Sequence, residues 1–197
     1  FFAGSGLHAQ MQAPYLYYYA VTTVGHDPQE HNPDRIGLMK SLQVAGGWER
    51  TYKGLPIKTK VETYYQYLFD VPVETKPSSF SMLNAGTGFG RIWPDTLQNT
   101  GVGRNYGLEL TVERFFAGGF YFMTTASLFD AKYQGSDGEW RNTVFNGRYA
   151  FNVLAAKEIK LGKNNRFNVG IKYTTVGGRW FGAQVDETET LRTGEIV

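Results

Sequence analysis

The stretch IKTKVETYYQYLFDV, residues 57–71, carries the clearest structural signal in the sequence. Its odd positions from Val61 to Val71 are apolar, aromatic or threonine, whereas most of its even positions are charged or polar, as at Lys60 and Glu62. Successive side chains of a β-strand point to opposite faces of the sheet. The alternation therefore predicts a strand with one apolar face and one polar face.

Other segments of the chain follow the same period of two. They lie at residues 1–12, 40–51, 104–114, 119–133, 147–158 and 166–175, and a further segment, interrupted by glycine, lies at 79–90. A helical period of 3.6 residues is not sustained, and no run of about 20 apolar residues predicts a transmembrane helix. We expect an all-β fold of about eight strands.

The connections between these segments alternate in length. Short ones, with the Gly or Asn that tight turns require, lie at 51–56, 116–119 and 161–165, and long ones lie at 13–38, 91–102 and 134–146. In outer-membrane barrels the short turns lie at one end and the long loops at the other, outside the cell. The pattern predicts an antiparallel up-and-down meander that forms part of a transmembrane β-barrel.

Aromatic residues make up 16% of the chain and gather where predicted strands meet connections. Phe115, Phe116 and residues 120–122 flank a short turn, and four tyrosines lie within 15–19, at the start of a long loop. Barrels place rings at these depths. The alternative is that they are core and surface aromatics of a soluble sheet.

Composition and motifs argue against several functions. The 20 Lys and Arg are spread among 18 Asp and Glu, so no basic face predicts a nucleic-acid partner, and Cys 0 excludes thiolate chemistry. His8 has no serine-centred elbow near it, and Glu109 and Glu113 would lie about 13 Å apart on a strand, too far for a glycosidase pair. We expect no catalytic residue, no cofactor and no enzyme activity.

Two further motifs suggest ligand sites only weakly. The loop containing His26, Asp27 and His31 gathers imidazoles and carboxylates, but its prolines and irregular spacing are typical of a solvated loop rather than a metal cage. The glycine-rich segments 86–91 and 101–104 lack the Lys-Ser/Thr of a phosphate-binding loop, and we interpret their glycines as bends or close-packing positions in strands. We predict no metal site.

Several stretches, in order along nearly the whole chain, carry a family resemblance. They are GLHAQMQ at 6–12, KVETYYQYL at 60–68 with VPV at 71–73, SSFSMLN at 78–84, NTG at 99–101 before NYGLELT at 105–111, GSDGEWRNT at 135–143, FN at 145–146, and residues 172–179. In these motifs the chain resembles the large TonB-dependent outer-membrane receptors of Bacteroidetes-type bacteria.

The resemblance implies a barrel of about 22 strands in the bacterial outer membrane, in contact with its lipid and closed by an N-terminal plug. Such a receptor imports a scarce small extracellular ligand, such as an iron chelate, a cobalamin-like cofactor or a glycan, when the TonB complex acts on the plug. We expect residues 1–197 to be a middle to late part of the barrel, without plug or terminal aromatic strand. The alternative is a structural or adhesive β-sheet protein without a transport role.

Trp140, Arg141 and Asn142 are the residues that we expect to contact a ligand. A ring for stacking, a bidentate donor and an amide suit a sugar, a catechol or a carboxylate. The alternative is that Arg141 pairs with plug carboxylates or holds neighbouring loops in place.

Overall fold

The computed structural model describes residues 1–18, 20–21, 29–30, 36–85, 92 and 94–180. Its strands are β1 Phe2–Gln10, β2 Ala20–Val21, β3 Gln29–Glu30, β4 Met39–Thr51, β5 Ile57–Glu74, β6 Leu97–Ala117, β7 Phe120–Gln134, β8 Trp140–Asn142, β9 Tyr149–Leu161 and β10 Asn165–Val176. The helix described, α1, is a single turn at Tyr15–Tyr18. The prediction of an all-β fold is confirmed.

The described strands form one antiparallel sheet of eight strands in the order β1-β4-β5-β6-β7-β9-β10, with β8 paired to β7, and a separate pair β2-β3. Apart from the short strands β2, β3 and β8, strands adjacent in this order follow one another along the chain, so the predicted up-and-down meander is confirmed. β1 and β10 are the outer strands, and each pairs on one side only within the described sheet.

The cross-strand register places the alternating side chains of all the main strands on common faces. One rung of the sheet joins Thr63, Leu108, Leu128 and Tyr149. The apolar face comprises Leu42, Val44, Val61, Thr63, Tyr65, Tyr106, Leu108, Leu110, Thr124, Ala126, Leu128, Tyr149, Phe151, Val153, Ile171 and Tyr173. The polar face comprises Ser41, Gln43, Lys60, Glu62, Gln66, Asn105, Glu109, Thr111, Thr125 and Asn152.

Because the meander reverses at each connection, the short connections share one end of the sheet and the long ones share the other. A glycine with positive φ lies in each of the three short turns: Gly54 (79°) before β5, Gly118 and Gly119 (63° and 73°) before β7, and Gly162 (74°) before β10. The connection between β5 and β6 differs from the prediction, since residues 97–102 belong to β6 rather than to a loop.

The strand predicted at 79–90 is wrong over its described part, residues 79–85. Ser81 forms one isolated bridge with Val73, and a turn follows at 82–84. Ser81 Oγ accepts from the Leu83 amide (3.4 Å) and the Ser81 carbonyl accepts from the amides of Asn84 and Ala85 (2.9 and 3.2 Å), and these local bonds replace a ladder. The eighth strand of the sheet is β8, while residues 86–90 lie outside the described part.

A bulge in β5 corrects the predicted position of Val71. Asp70 adopts φ 54°, and the register with β6 shifts between Leu68 and Val71. One extra residue reverses the facing of everything beyond it. Val71 therefore leaves the apolar row and is fully buried beside Gly101, on the side of the sheet that residues 75–85 cover.

The buried core lies at the long-connection end and is made largely by the connections. Tyr17, Ile36, Phe80 and Leu97 form it, with Met82 and Ile92 packed against them. Tyr17, which the sequence grouped with rings at a barrel rim, is thus a core residue. Phe115, Phe116 and Phe120, by contrast, are exposed beside the short turn before β7. Tyr19 lies outside the described residues.

Asn99 ties the bulge to the start of β4. Its Oδ1 accepts from the Gly37 amide (2.8 Å), and its Nδ2 donates to the carbonyls of Gly37 (3.3 Å) and Asp70. We predict that Asn99→Ala lowers the free energy of unfolding by about 3 kcal/mol, because three hydrogen bonds are lost and each is worth about 1 kcal/mol. A denaturant titration measures this change.

The matched control is Asn168→Ala on β10, because the exposed Asn168 side chain makes no hydrogen bond with the described residues. Amide exchange should quicken near residues 37 and 70 in the Asn99 variant alone. Equal stability of the two variants would contradict this role for Asn99.

Candidate functional site

The apolar face is exposed over most of its width. Leu108, Leu128 and Ile171 retain 50%, 62% and 66% of their accessible surface, on three different strands. Soluble sheets bury the apolar side of an antiparallel sheet and expose the polar side. Contiguous apolar surface of this extent marks an interaction site, because water-exposed patches on monomers are usually limited to a few hundred Å².

Many side chains of the polar face pair with one another. Gln66 Nε2 donates to Ser41 Oγ (2.8 Å), and Asn105 Nδ2 donates to Gln66 Oε1 (2.8 Å). Ion pairs join Lys60 to Glu62 (2.7 Å) and, further towards the short turns, Lys58 to Glu49 (2.9 Å). This face therefore has the chemistry of a surface that meets water or polar groups.

Each end of the apolar face carries basic side chains against aromatic rings. At the long-connection end, Lys40 lies over Phe69 (5.8 Å), Arg104 over Trp140 (4.3 Å) and Arg148 over Trp180 (4.8 Å), measured to ring centroids. We call these six residues the loop-end rim. At the short-turn end, Arg50 lies over Tyr52 (5.1 Å) and Arg114 over Phe120 (5.2 Å), and these four residues are the turn-end rim.

A shallow groove of about 460 Å³ lies on the apolar face directly below the loop-end rim. It is lined by Thr63, Tyr106, Gly107, Leu108, Leu128, Phe129, Asp130 and Arg148. Arg148 adopts φ 65° where β9 begins, and its carbonyl accepts from the Phe129 amide (2.9 Å). The groove thus lies where β9 joins β7, with apolar walls and charged groups at one end.

The predicted ligand contacts Trp140, Arg141 and Asn142 form β8, but they do not converge on one point. Arg141 pairs opposite Tyr133, whereas Trp140 and Asn142 pair opposite Gln134 and Lys132. The pleat therefore directs Arg141 to the other side of the sheet from its two neighbours. A ligand on one side would meet either Arg141 or the other two residues.

Each of the three side chains also has a partner within the chain. Arg141 makes a bidentate contact with Asp137, at 2.8 and 2.7 Å, across an Asp-Gly turn. Trp140 lies under Arg104, and Asn142 Oδ1 accepts from Asn146 Nδ2 (2.8 Å). The contact with a ligand stays a prediction, and Arg141 holds its own loop together.

Two residues that the sequence analysis did not single out, Asp130 and Asn146, connect the rim with the connection after β8. Buried Asn146 donates to Asp130 Oδ1 (2.7 Å), and Asp130 Oδ2 accepts from Tyr106 OH (3.0 Å) and lies 3.5 Å from Lys132 Nζ. The sequence did contain a signal for Asp130. Alternate residues from Phe120 to Leu128 carry no charge, and Asp130 is the next residue on the same face.

Only some of the remaining candidate motifs lie within the described residues. Gly101 and Gly103 are close-packing positions in β6, since an added Cβ would meet Val73 at the first and Leu83 at the second. His26, Asp27, His31 and the segment 86–91 lie outside the described residues. Within the described ranges, no cluster of three or more His, Asp or Glu side chains is placed to hold a metal ion. No helix there has the length and apolarity needed to cross a membrane.

No family model, curated protein or solved structure matches this chain. The two faces of the sheet and the rims are therefore the observations on which a function rests.

The Arg141–Asp137 pair makes the β8 turn sensitive to acid. Hydrogen bonds from Arg141 hold the pKa of Asp137 below its ordinary value, against an opposing effect of partial burial. The stabilisation is present above about pH 4 and is lost as the pH falls through the lower pKa of the folded state. We predict that Asp137→Asn is less stable than the parent at neutral pH and that this difference narrows in acid.

Thermal unfolding followed from pH 7 downward measures the difference. Glu139→Gln is the control, because it removes an exposed carboxylate two residues away. If the difference in stability between the parent and Asp137→Asn stays constant or widens in acid, the Arg141–Asp137 pair does not stabilise the turn.

Proposed function

We propose that this chain is a stretch of the wall of an outer-membrane β-barrel, from a TonB-dependent importer. The observation that carries the proposal is the exposed apolar face opposite a polar face whose side chains pair with one another. Barrel walls have lipid on one side and a polar lumen on the other, so alternating strands satisfy both environments.

The height of the apolar face supports the proposal that this face contacts lipid. On β6, no charged side chain stands on this face between Arg104 and Arg114, each of which lies over an aromatic ring. These ten residues correspond to about 34 Å along a strand, or about 26 Å of membrane thickness at a tilt of about 40°. The apolar band of a transmembrane barrel is about 25 Å tall.

The outer strands of the sheet support a larger closed structure. β1 and β10 each leave one row of backbone N–H and C=O groups without a strand partner in the described sheet. Unpaired backbone groups do not occur against lipid, so further strands would have to continue the wall on both sides. A barrel of about 22 strands, which the sequence resemblance implies, satisfies this requirement.

A structural or adhesive β-protein is the competing proposal, with a second sheet covering the apolar face. Strand length favours the barrel, because β5 has 18 residues and β6 has 21, whereas strands of soluble proteins are usually about 5–6 residues long. Charged rims at both ends of an uncharged band are also typical of a wall that crosses two membrane interfaces.

Import of a small extracellular ligand is the part of the proposal that rests on the family motifs. In this arrangement the long connections face outward, and β8 with Trp140, Arg141 and Asn142 lies among them. The ligand would be an iron chelate, a cobalamin-like cofactor or a glycan, and the TonB complex would act through a plug. No catalytic step is proposed.

The absence of cysteine allows a direct test of orientation by single-cysteine labelling. We predict that Glu139→Cys, beside β8, reacts with a membrane-impermeant maleimide on whole cells. Lys163→Cys, in the turn before β10, should react only after the outer membrane is permeabilised. Both positions are exposed in the structure, so accessibility within the fold is matched.

Labelling of both cysteines on intact cells would exclude the proposed crossing. A protein that is absent from the outer membrane and stays in solution without detergent would favour the sandwich instead.

The two faces also predict opposite responses to a new charge. Leu108→Arg places a cation in the middle of the apolar band, at a cost of about 2–4 kcal/mol against lipid. Thr111→Arg, three residues away on the polar face, should cost little. We therefore expect a severalfold lower yield of folded protein in the outer membrane for the first variant, measured by heat-modifiable migration on gels. Equal yields would contradict the assigned facing.

A further inference from the structure

We propose that the loop-end rim and the groove below it bind an anionic phospholipid, with the phosphate on the arginines and an acyl chain in the groove. The proposal rests on the proposed function, since it needs the apolar face to lie in a membrane. The proposed function requires only that this face be apolar, whereas this inference adds a site that selects one class of lipid.

The charge at the loop-end rim favours an anion. Four cations stand on this side of the sheet, Lys40, Arg104, Lys132 and Arg148, and the carboxylates that contact them are Asp70 and Asp130. Four positive and two negative groups leave a local excess of two positive charges. Negatively charged lipid headgroups are attracted to such clusters at a membrane surface.

The two arginines have donors available for a phosphate. Lys40 and Lys132 lie beside Asp70 and Asp130, whereas Arg104 and Arg148 contact rings and have no carboxylate partner among the described residues. A guanidinium that stacks on a ring still presents its edge, and that edge binds phosphate oxygens in a bidentate manner.

The groove provides the apolar half of the site. Leu108 and Leu128 face each other across β6 and β7, with Thr63 and Tyr106 beside them, and Arg148 lines the same depression. An acyl chain lying on the leucines would bring its headgroup to Arg148. A free phosphate ion would contact only the arginines, at an exposed surface where salt screens the attraction. A phospholipid would contact the arginines and the apolar groove together, so the site favours a lipid over the free ion.

The test measures binding of phosphatidylglycerol and phosphatidylcholine to the intact protein in detergent by native mass spectrometry. We expect phosphatidylglycerol to bind about fivefold more tightly, and we expect Arg104→Gln with Arg148→Gln to abolish the preference. Lys132→Gln should weaken it partially, and this milder variant serves if the double variant fails to fold. Arg50→Gln is the matched control, because Arg50 also stacks on a ring, at the turn-end rim.

The outcomes separate this inference from the proposed function. Equal binding of the two lipids, or loss of the preference in Arg50→Gln as well, overturns the site while leaving the barrel wall intact. Displacement of phosphatidylglycerol by inorganic phosphate at comparable concentration identifies a free-anion site and also overturns it. If the intact protein does not enter phosphatidylcholine vesicles at all, the proposed function itself fails.

Discussion

The strand pleat, kept in one register across the sheet, is the constraint on which the other features depend. A shift of one residue would exchange the apolar and polar faces of a strand. On β6 the register with both neighbours is regular from Gly103 to Arg114. The irregularities follow immediately, beside Gly101 at one end and between Arg114 and Ala117 at the other. Regular pairing therefore covers the uncharged band, and the departures lie outside it.

The bulge at Asp70 explains why a buried core can form at only one end. Beyond it, Val71 and Val73 turn towards the polar side, where residues 75–85 cover them. Polar side chains then hold the connections together, as when Asn84 Oδ1 accepts from the Val144 amide (2.8 Å) and Ser136 Oγ accepts from that of Ser78 (2.9 Å). The long connections are thus fixed to the sheet by directional bonds as well as by apolar contact.

The main strands and their facing could be predicted from the sequence because the apolar period of two is strong between the rims. The start of β6 was missed because residues 97–103 alternate poorly, and this segment is a strand through its pairing with β5. The strand expected at 79–90 is absent over its described part, 79–85, because Ser81 makes local hydrogen bonds there. The facing of Val71 depends on an extra residue in β5 that the sequence pattern does not reveal. Trp140, Arg141 and Asn142 were predicted as one group because they are consecutive in the sequence. Consecutive residues of a strand point to opposite faces, so the structure separates Arg141 from the other two. The contact of Asn146 with Asp130 joins distant positions that no local pattern connects.

β8 belongs to both of the surfaces for which a function is proposed, and this affects how variants there can be interpreted. Trp140 lies under Arg104 of the loop-end rim, while Arg141 on the opposite side closes its own turn through Asp137. A loss of uptake on changing Trp140 would therefore follow from a disturbed rim as readily as from a lost ligand contact. Because the pleat separates the two side chains, only a pair of variants distinguishes these causes. A ligand on the Trp140 side depends on Trp140 and Asn142 but not on Arg141, whereas a damaged turn depends on Arg141 and Asp137 and leaves the Arg104 stack in place.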